Sequence, residues 1–491
     1  MKNNLIDQFD VNIGTEVHCS VKIDRKMFSL TKIVEDAEEP NKHISFWELG
    51  YPGIKPIINF EVVKKAIFLA YALNMNVSNI LVFDRKNYFY YDLPKGYQIT
   101  QNFYPIAKNG FLEIVLPDKK VKKIKILKIQ IEEDTAKSIH KDGEILLDFS
   151  RSGNPLLEIV SDCNITDENE LIIFLRLLRV TLKFLKISDC KMEKAQLRCD
   201  INVSLSKKNS KTLGQKVEIK NLNSFFNIQK AISFEIEEQL NLLSQNKNVV
   251  QVTKNFDEKT KSLIFSRMKE SNVGYRFFRE SNLLPYKLMS NELEEIENEI
   301  LRLELPSKKL QKFTLNYNLS VNEALFILEN EDVLNFFENL SKETFFYKRA
   351  YQIIFDIVLP NLRKLNLNFS NFLCTSIIFG KIVNLCEKDH NKFSLVKKLI
   401  IESIEKNYEI TIKNIKEIEN ISFASDEEMF LTIKNIFDKK PDLVSSYLKK
   451  PEKIIKFLIG ELNRKFKGKI NNKDLNKKLE EFIQTKIIKN N

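Results

Sequence analysis

Residues 13–23 read IGTEVHCSVKI, and their alternation of apolar and polar side chains is typical of a half-buried β-strand. Successive side chains of a strand point to opposite faces, so residues two apart share one face. Glu16 and His18 are therefore expected to point the same way. From this motif alone, a hydrogen-bonded structural histidine is favoured over a ligand. The stretch predicts a sheet in which an acid and an imidazole stand side by side.

The composition is that of a globular protein with several domains, and its positive charge favours the binding of anions. The chain has 491 residues, of which 43% are hydrophobic and 29% charged. About two to four domains are usual at such a length. The formal charge of +11 favours contact with nucleic acid, although solvated lysines would give the same balance. Six cysteines without metal-site spacing are expected to be reduced thiols in the cytoplasm.

No targeting or membrane segment is expected. The N-terminal residues lack a continuous apolar stretch, which argues against a secretory signal. The most apolar run, LIIFLRLLRVTLKFL from Leu171, is interrupted by Arg176, Arg179 and Lys183. A membrane-spanning helix needs about 20 mostly apolar residues. We therefore predict a cytoplasmic protein without membrane contact.

The order of elements predicts an α+β protein in three parts. In the first part, strand-like runs such as YFYYD (88–92) alternate with turns and a few helices, which are expected to begin after Asn59, at Thr166–Glu168 and after Ser224. Beyond it the periodicity is helical nearly throughout. The predicted parts are a mixed β-sheet cradle domain at 1–290, an all-α helical domain at 291–405 and a small α-helical tail domain at 406–491, with a polar candidate linker at 406–425.

Carboxylates recur at strand positions in the first part. IQIEEDTAKSIH (129–140) ends a strand-like run with three acids, NPLLEIVS (154–161) places Glu158 among apolar residues, and VEIKNLNS (217–224) does the same for Glu218. An acidic triplet alone is usually a solvated loop, but a carboxylate among apolar neighbours is costly to bury unless it is paired or binds a cation. Mg²⁺ commonly uses one or two carboxylates together with substrate phosphates. The acids therefore indicate a binding site for a metal-bound nucleotide.

Positive charge and aromatic rings are interleaved in FDRKNYFYYDLPKGYQITQ (83–101). Arg85, Lys86 and Lys95 offer phosphate donors beside tyrosine rings that can stack on a base or ribose. Aromatic residues at strand spacing are more often core, so both interpretations stay open. The sequence has no P-loop and no GxGxxG phosphate loop. From the residues alone we predict metal-dependent phosphate chemistry on or beside nucleic acid.

Six motifs in chain order carry a resemblance to a known family: IGTEVH, FDRKNYFYYDLPKGYQITQ, EEDTAKSIH, DFSRSGNPLLEIVS, MEKAQLRCDINVS and VEIKNLNSF. Together they closely resemble the B subunit of the bacterial glutamyl/aspartyl-tRNA amidotransferase. The resemblance implies a ligase that uses ATP and Mg²⁺ to phosphorylate the side-chain carboxylate of Glu-tRNA(Gln), Asp-tRNA(Asn) or both, after which ammonia displaces the phosphate. It also implies two partners in a heterotrimer, a glutaminase subunit that supplies ammonia and a small third subunit. A non-catalytic tRNA-binding scaffold is the alternative.

The resemblance also assigns roles to single residues. The family's catalytic positions fall on Glu16, His18, Lys86, Glu133 and Glu158. The expected metal ligands are Glu16, His18, Glu132, Glu133, Glu158 and Glu218. ATP and substrate binding is expected of Arg85, Lys95, Arg198, Lys220 and Asn221. The chain departs from the family pattern at Thr15, usually Leu, at Lys194, usually acidic, and at Arg279 in RFFRES (276–281), usually RYFPDP, which leaves the roles of Lys194 and Arg279 open.

Overall fold

The structure, a computed structural model, describes residues 7–34, 39–210, 212–268, 275–421, 424–466 and 475–488. Its contacts divide the chain into two compact units: unit 1 comprises Met1–Asn316 and Ser320–Leu328, and unit 2 comprises Tyr317–Leu319 and Glu329–Asn491. Unit 1 combines sheets with helices, and the described elements of unit 2 are helical. The predicted α+β class is confirmed. The finer division into three domains stays a prediction.

The described strands all lie in unit 1. In chain order they are β1 Phe9–Ser20, β2 Asn76–Val77, β3 Ile80–Leu81, β4 Asp84–Asn87, β5 Tyr97–Thr100, β6 Ala107–Val115, β7 Val121–Glu133, β8 Lys137–Lys141, β9 Glu144–Asp148, β10 Pro155–Ser161, β11 Leu197–Lys207, β12 Val217–Leu222, β13 Val252–Asp257, β14 Ser262–Met268, β15 Arg276–Arg279 and β16 Tyr286–Lys287. A nine-stranded sheet has the order β14-β13-β12-β11-β1-β10-β7-β6-β2. Smaller sheets are β15-β4-β5, β16-β3 and β8-β9.

Strand β1 lies inside the nine-stranded sheet, where it pairs antiparallel with β10 on one side and β11 on the other. Along it the fully buried Val17 and Cys19 alternate with the half-buried Glu16 and His18. The sheet therefore has one apolar face and one face that carries the acid and the imidazole. The predicted strand and the shared face of Glu16 and His18 are confirmed.

Helices of unit 1 pack on the sheet, and the first three begin where the sequence predicts. They are Phe60–Ala72, Glu168–Phe184, Phe225–Ser244, Ser290–Leu301, Pro306–Gln311 and Val321–Glu329. The last residue of the final helix, Glu329, is already counted in unit 2. The first three are capped by Asn59, Asp167 and Ser224, whose side chains each accept a hydrogen bond from a backbone N–H of the first turn. Such caps satisfy donors that the helix itself leaves unpaired.

The described part of unit 2 is a succession of helices. They are Glu331–Leu340, Tyr347–Ile353, Leu359–Lys364, Ser376–Lys388, Phe393–Lys406, Ile412–Glu419, Asp426–Lys439, Asp442–Lys449, Pro451–Lys465 and Leu475–Phe482. The last four share a hydrophobic core around Met429, Leu458 and Leu479. The candidate linker at 406–425 instead contains the helix Ile412–Glu419, because its isoleucines recur at helical spacing and bury one side. Within the described ranges, no helix has both the length and the apolar character that crossing a membrane requires.

The strand expected at YFYYD (88–92) is wrong. Strand β4 ends at Asn87 and pairs with β5, so the chain must reverse direction within residues 88–96. Two turns accomplish this, closed by the N–H of Leu93 on the carbonyl of Tyr90 and by the N–H of Gly96 on the carbonyl of Leu93. Gly96 has a φ of 71°, which glycine adopts without steric cost. The turn geometry overrides the strand preference of the tyrosines.

Candidate functional site

A row of polar side chains crosses the large sheet at His18. In the antiparallel register His18 stands opposite Glu158 of β10 and opposite Arg198 of β11, and Glu158 stands opposite Gln130 of β7. Residues opposed in register share a face, so these side chains point the same way. The Nε2 atom of His18 lies 3.7 Å from Oε1 of Glu158 and 3.9 Å from Oε2 of Glu132. Strand register therefore gathers residues that lie far apart in the sequence.

Glu16 extends this row along β1. It stands opposite Asp200 of β11, and its Oε1 accepts a hydrogen bond of 3.3 Å from Nδ2 of Asn202. Like His18 and Glu158, Glu16 is half-buried. Glu16 and Glu158 therefore share one face of one sheet.

The three acids at the end of β7 have different surroundings, because side chains alternate along a strand. Glu132 approaches His18, whereas the carboxylate of Glu133 is buried, with its Oε1 2.6 Å from Nζ of Lys95. Asp134 follows the strand, and its Oδ2 accepts a 3.2 Å hydrogen bond from Nη2 of Arg198. Glu132 is thus the triplet member that reaches the imidazole, and Glu133 forms an ion pair with Lys95.

Strand β4 gives two neighbouring basic residues different partners. Nε and Nη2 of Arg85 donate to the two carboxylate oxygens of Glu280 at 2.6 and 2.9 Å, and the guanidinium lies 4.0 Å from the ring centroid of Tyr97. Lys86 points to the other side of the strand, where its Nζ lies 4.6 Å from the ring centroid of Tyr275. The bidentate pair occupies Arg85, so its expected role in ATP or substrate binding has no support from this geometry.

At the pairing of β11 with β12, Lys220 contacts the carboxylate of Asp200 and lies 3.5 Å from Oε1 of Glu218. Burial works against the charge of Lys220, but Asp200 and Glu218 beside it raise its pKa overall. The buried Glu218 also accepts a 2.8 Å hydrogen bond from Oγ1 of Thr253. Asn221 has a left-handed backbone with a φ of 61°, a conformation that asparagine tolerates better than most residues.

These elements enclose a cleft of about 320 Å³. The expected site residues that line it are His18, Lys86, Glu132, Arg198, Lys220 and Asn221. Glu16 and Glu158 lie beside it on the same sheet face, whereas Arg85, Lys95, Glu133 and Glu218 are outside its lining. Lining residues without a role assigned from the sequence include Gln98, Asp134, Thr135, Asp200 and Asn223. For Gln98 a sequence signal existed, since it lies in the same basic and aromatic motif as Lys86 and Lys95.

The carboxylates around His18 are crowded. Burial, together with the charges of Glu132 and Glu16, raises the pKa of Glu158 to about 8. Burial also lowers the pKa of His18, an effect that Glu132 opposes. A neutral imidazole has one nitrogen free to accept a hydrogen bond or bind a metal. A cation near the carboxylates would favour their charged forms.

The donor set fits a hydrated divalent cation rather than a cage made of protein ligands alone. Among the described residues, no three His, Cys, Asp or Glu side chains are arranged to hold a metal together. Mg²⁺ does not need such a cluster, because it keeps several waters and binds through one or two carboxylates and substrate phosphates. Glu132 and Glu158, which both approach the same nitrogen of His18, provide carboxylates of this kind.

Thr15, Lys194 and Arg279, three positions at which the chain departs from the family pattern, lie outside the cleft lining. Thr15 is buried on the apolar face, where its N–H donates to Oγ of Ser161 at 2.9 Å and its hydroxyl donates to the carbonyl of Asp200 at 3.1 Å. Lys194 lies on an exposed turn, and Arg279 lies at the end of β15, opposite Asp84. A polar side chain is accepted at Thr15 because its one polar group, the hydroxyl, has a partner in the carbonyl of Asp200.

Comparison with known proteins identifies the family. Residues 11–294 match the family described as the GatB/GatE catalytic domain, and residues 335–483 match the family described as the GatB domain. The chain belongs to the GatB/GatE family. Every residue that lines the cleft falls within the catalytic-domain match.

Curated relatives match along nearly the whole chain. The B subunit of the aspartyl/glutamyl-tRNA(Asn/Gln) amidotransferase of Mycoplasma mycoides subsp. mycoides SC is 36% identical over 466 residues, which cover 95% of this chain and 96% of the relative. The protein of the same name from Persephonella marina is 35% identical over 479 residues, covering 97% of this chain and 100% of the relative. That from Clostridium novyi is 34% identical over 472 residues, covering 95% and 98%. The resemblance inferred from six short motifs is confirmed.

Proposed function

We propose that this chain is the B subunit of a tRNA-dependent amidotransferase, a ligase that converts Glu-tRNA(Gln), Asp-tRNA(Asn) or both into the amidated aminoacyl-tRNA used in translation. Family membership over nearly the full length carries the proposal. The shared name of the relatives, which includes both tRNA(Asn) and tRNA(Gln), supports this substrate class. The order of events is phosphorylation of the side-chain carboxylate by ATP, followed by displacement of the phosphate by ammonia.

Activation is required because a free carboxylate is a poor acyl donor whose leaving group would be oxide. Phosphorylation gives the same carbon a good leaving group. The chain must therefore hold two anions, the amino acid carboxylate and the nucleotide phosphates, close together against their repulsion. Lys86, Arg198 and Lys220 surround the cleft and supply the positive charge for this task.

Mg²⁺ is the proposed metal, and Glu132 and Glu158 are its proposed carboxylate ligands. Glu16 and the neutral His18 would hydrogen-bond its water ligands. When bound, the ion neutralises charge on the phosphates. Burial and the neighbouring charges of Glu132 and Glu16 raise the pKa of Glu158, which supports a cation at this place. Since Lys95 holds Glu133 and Thr253 holds Glu218, these two acids are proposed to support the site.

The proposed partners are a glutaminase subunit, a small third subunit of the heterotrimer and the aminoacyl-tRNA. The word subunit in the relatives' names supports an assembly of several chains. We assign tRNA binding to the four C-terminal helices, whose exposed lysine pairs Lys439–Lys440 and Lys449–Lys450 can contact phosphates. The alternative of a non-catalytic scaffold gains no support, because the matched family is described as a catalytic domain.

A reconstituted reaction tests the proposal. The purified chain is combined with the glutaminase and the small third subunit, misacylated tRNA, ATP and glutamine, and the amino acid released from the tRNA is identified. Glutamine or asparagine is expected only when ATP is present, together with phosphate release that depends on the aminoacyl-tRNA. Recovery of unchanged glutamate and aspartate from the complete mixture would reject the proposed function.

A further inference from the structure

Strand β5 holds the carboxylate of Glu132 at both of its oxygens. Oγ1 of Thr100 donates to Oε1 of Glu132 at 2.5 Å, and Nε2 of Gln98 donates to Oε2 at 3.3 Å. Thr100 and Gln98 lie two apart on the strand and so share a face. Both side chains are buried, with 1% and 7% of their surface exposed. The oxygen that Gln98 contacts is also the one 3.9 Å from Nε2 of His18.

A second layer of hydrogen bonds fixes the direction of the first. Nε2 of Gln130 donates to Oγ1 of Thr100 at 3.3 Å, so the hydroxyl proton of Thr100 is left to point at Glu132. Nε2 of Gln98 also donates to the carbonyl of Glu133 at 2.7 Å, which ties β5 to the end of β7. Gln101 adds a further tie, because its Oε1 accepts the N–H of Ile131 at 3.0 Å.

We propose that Thr100, assisted by Gln98, is a positioning residue that aims the Glu132 carboxylate into the cleft before the metal and nucleotide bind. A glutamate side chain has several rotatable bonds, and ordering it at the moment of binding would weaken the affinity. Partners outside the ligand shell that orient ligands typically change metal affinity by about 10- to 100-fold. The inference rests on the proposed function, because it takes Glu132 as a metal ligand.

The test compares three variants of the full-length chain, assembled with its two partners. Thr100→Val removes the hydroxyl and keeps the shape of the side chain, whereas Thr100→Ser keeps the hydroxyl. Thr181→Val is the matched control, because Thr181 is equally buried and its hydroxyl donates only to the carbonyl of Leu177 in its own helix. Mn²⁺ binding is measured by calorimetry, and the Mg²⁺ dependence of amidation gives an apparent KM alongside kcat.

Thr100→Val is expected to weaken Mn²⁺ binding about tenfold or more and to raise the apparent KM for Mg²⁺ in parallel. Thr100→Ser and Thr181→Val should stay close to the parent protein. Unchanged Mn²⁺ binding by Thr100→Val overturns the positioning role. If circular dichroism shows that Thr100→Val is unfolded, Gln98→Leu replaces it, and unchanged Mn²⁺ binding by that variant overturns the role in the same way.

The two proposals fail separately. The positioning role is judged by the direct Mn²⁺ titration, whatever the amidation assay gives. The proposed function is judged by the parent protein alone, which must form the amide on tRNA in an ATP-dependent reaction. If the parent protein binds Mn²⁺ in a Thr100-dependent manner but forms no amide, the positioning role stands and the proposed function is rejected.

Discussion

His18 of β1 lies directly opposite Glu158 of β10, with 3.7 Å between Nε2 and Oε1. Glu132 approaches the same nitrogen at 3.9 Å, so two carboxylates converge on one imidazole. Burial lowers the pKa of His18, and a neutral imidazole cannot balance either negative charge. Burial, together with the charges of Glu132 and Glu16, raises the pKa of Glu158, and a cation at this place would favour its charged form.

Replacing Glu158 tests the proposed metal site. Glu158→Gln keeps the size of the side chain but cannot become a charged metal ligand, and we expect it to reduce ATP-dependent amidation at least about 100-fold. Glutamine hydrolysis by the proposed glutaminase partner should stay measurable, because the proposed function assigns that reaction to another chain. Glu299→Gln, at an exposed position of the helix Ser290–Leu301, is the control. Full amide formation by Glu158→Gln would count against the site.

The buried pair of Lys95 and Glu133 should matter for folding. Their side chains are 3% and 1% exposed, so Lys95→Met would leave a buried carboxylate without its counter-charge. The expected loss in the free energy of unfolding is about 3–5 kcal/mol, measured by urea denaturation. Adding Glu133→Gln to that variant should restore part of the loss. Lys22→Met, which breaks the exposed pair with Asp189, should cost about 1 kcal/mol or less.

Arg85 and Arg198 should respond differently to the same substitution. Arg198 lines the cleft, so Arg198→Met is expected to raise the KM for ATP or aminoacyl-tRNA about tenfold, with the midpoint of unfolding nearly unchanged. Arg85→Met leaves the fully buried Glu280 without its partner and should lower the midpoint of unfolding. A rise in KM without loss of stability for Arg85→Met would instead support the ligand-binding role expected from the sequence.

Lys26 should make stability depend on pH. Its side chain is fully buried, and burial, partly opposed by Glu48 and Glu133, lowers its pKa from 10.5 to about 8. Between these two values the unfolded chain holds the proton and the folded protein does not, so stability contributed by this group rises with pH. Below about pH 8, Lys26 is charged in both the folded protein and the unfolded chain. The folded protein then bears the full cost of burying that charge.

The measurement is the free energy of unfolding of the parent protein relative to Lys26→Met. We expect it to shift in favour of the parent by about 2–3 kcal/mol between pH 7 and pH 10. The exposed Lys32→Met variant controls for general effects of removing a lysine. A difference between the parent and Lys26→Met that stays constant over this range would contradict the prediction.

Local pattern predicted much of the fold. The alternation in residues 13–23 gave the correct strand and the correct shared face, since burial on one side of a sheet imposes a period of two. Helix starts after Asn59, at Thr166–Glu168 and after Ser224 were recognisable because an N-cap needs a side-chain acceptor, and the caps are Asn59, Asp167 and Ser224. The YFYYD error arose because a turn depends on which strands pair, which propensity alone does not specify.

The partners and locations of individual charged side chains could not be predicted in the same way. Arg85 pairs with Glu280, which is 195 residues away in the sequence, and nothing around Arg85 in the sequence indicates that partner. Glu132 and Glu133 are adjacent in the sequence, yet one enters the cleft and the other pairs with Lys95. Which of the two acids enters the cleft depends on which face of β7 is turned toward β5 and β10. That orientation is a property of the assembled structure.

Because both neighbours of β1 are strands, its length is constrained more tightly than its composition. Removing one residue between Glu16 and His18 would put the two side chains on opposite faces, and sliding the whole strand by one step would turn both toward the apolar side. By contrast, Thr15 shows that a polar side chain on that side is tolerated when its hydroxyl donates to a backbone carbonyl, here that of Asp200. Insertions and deletions, far more than substitutions, are the changes that this strand cannot accommodate.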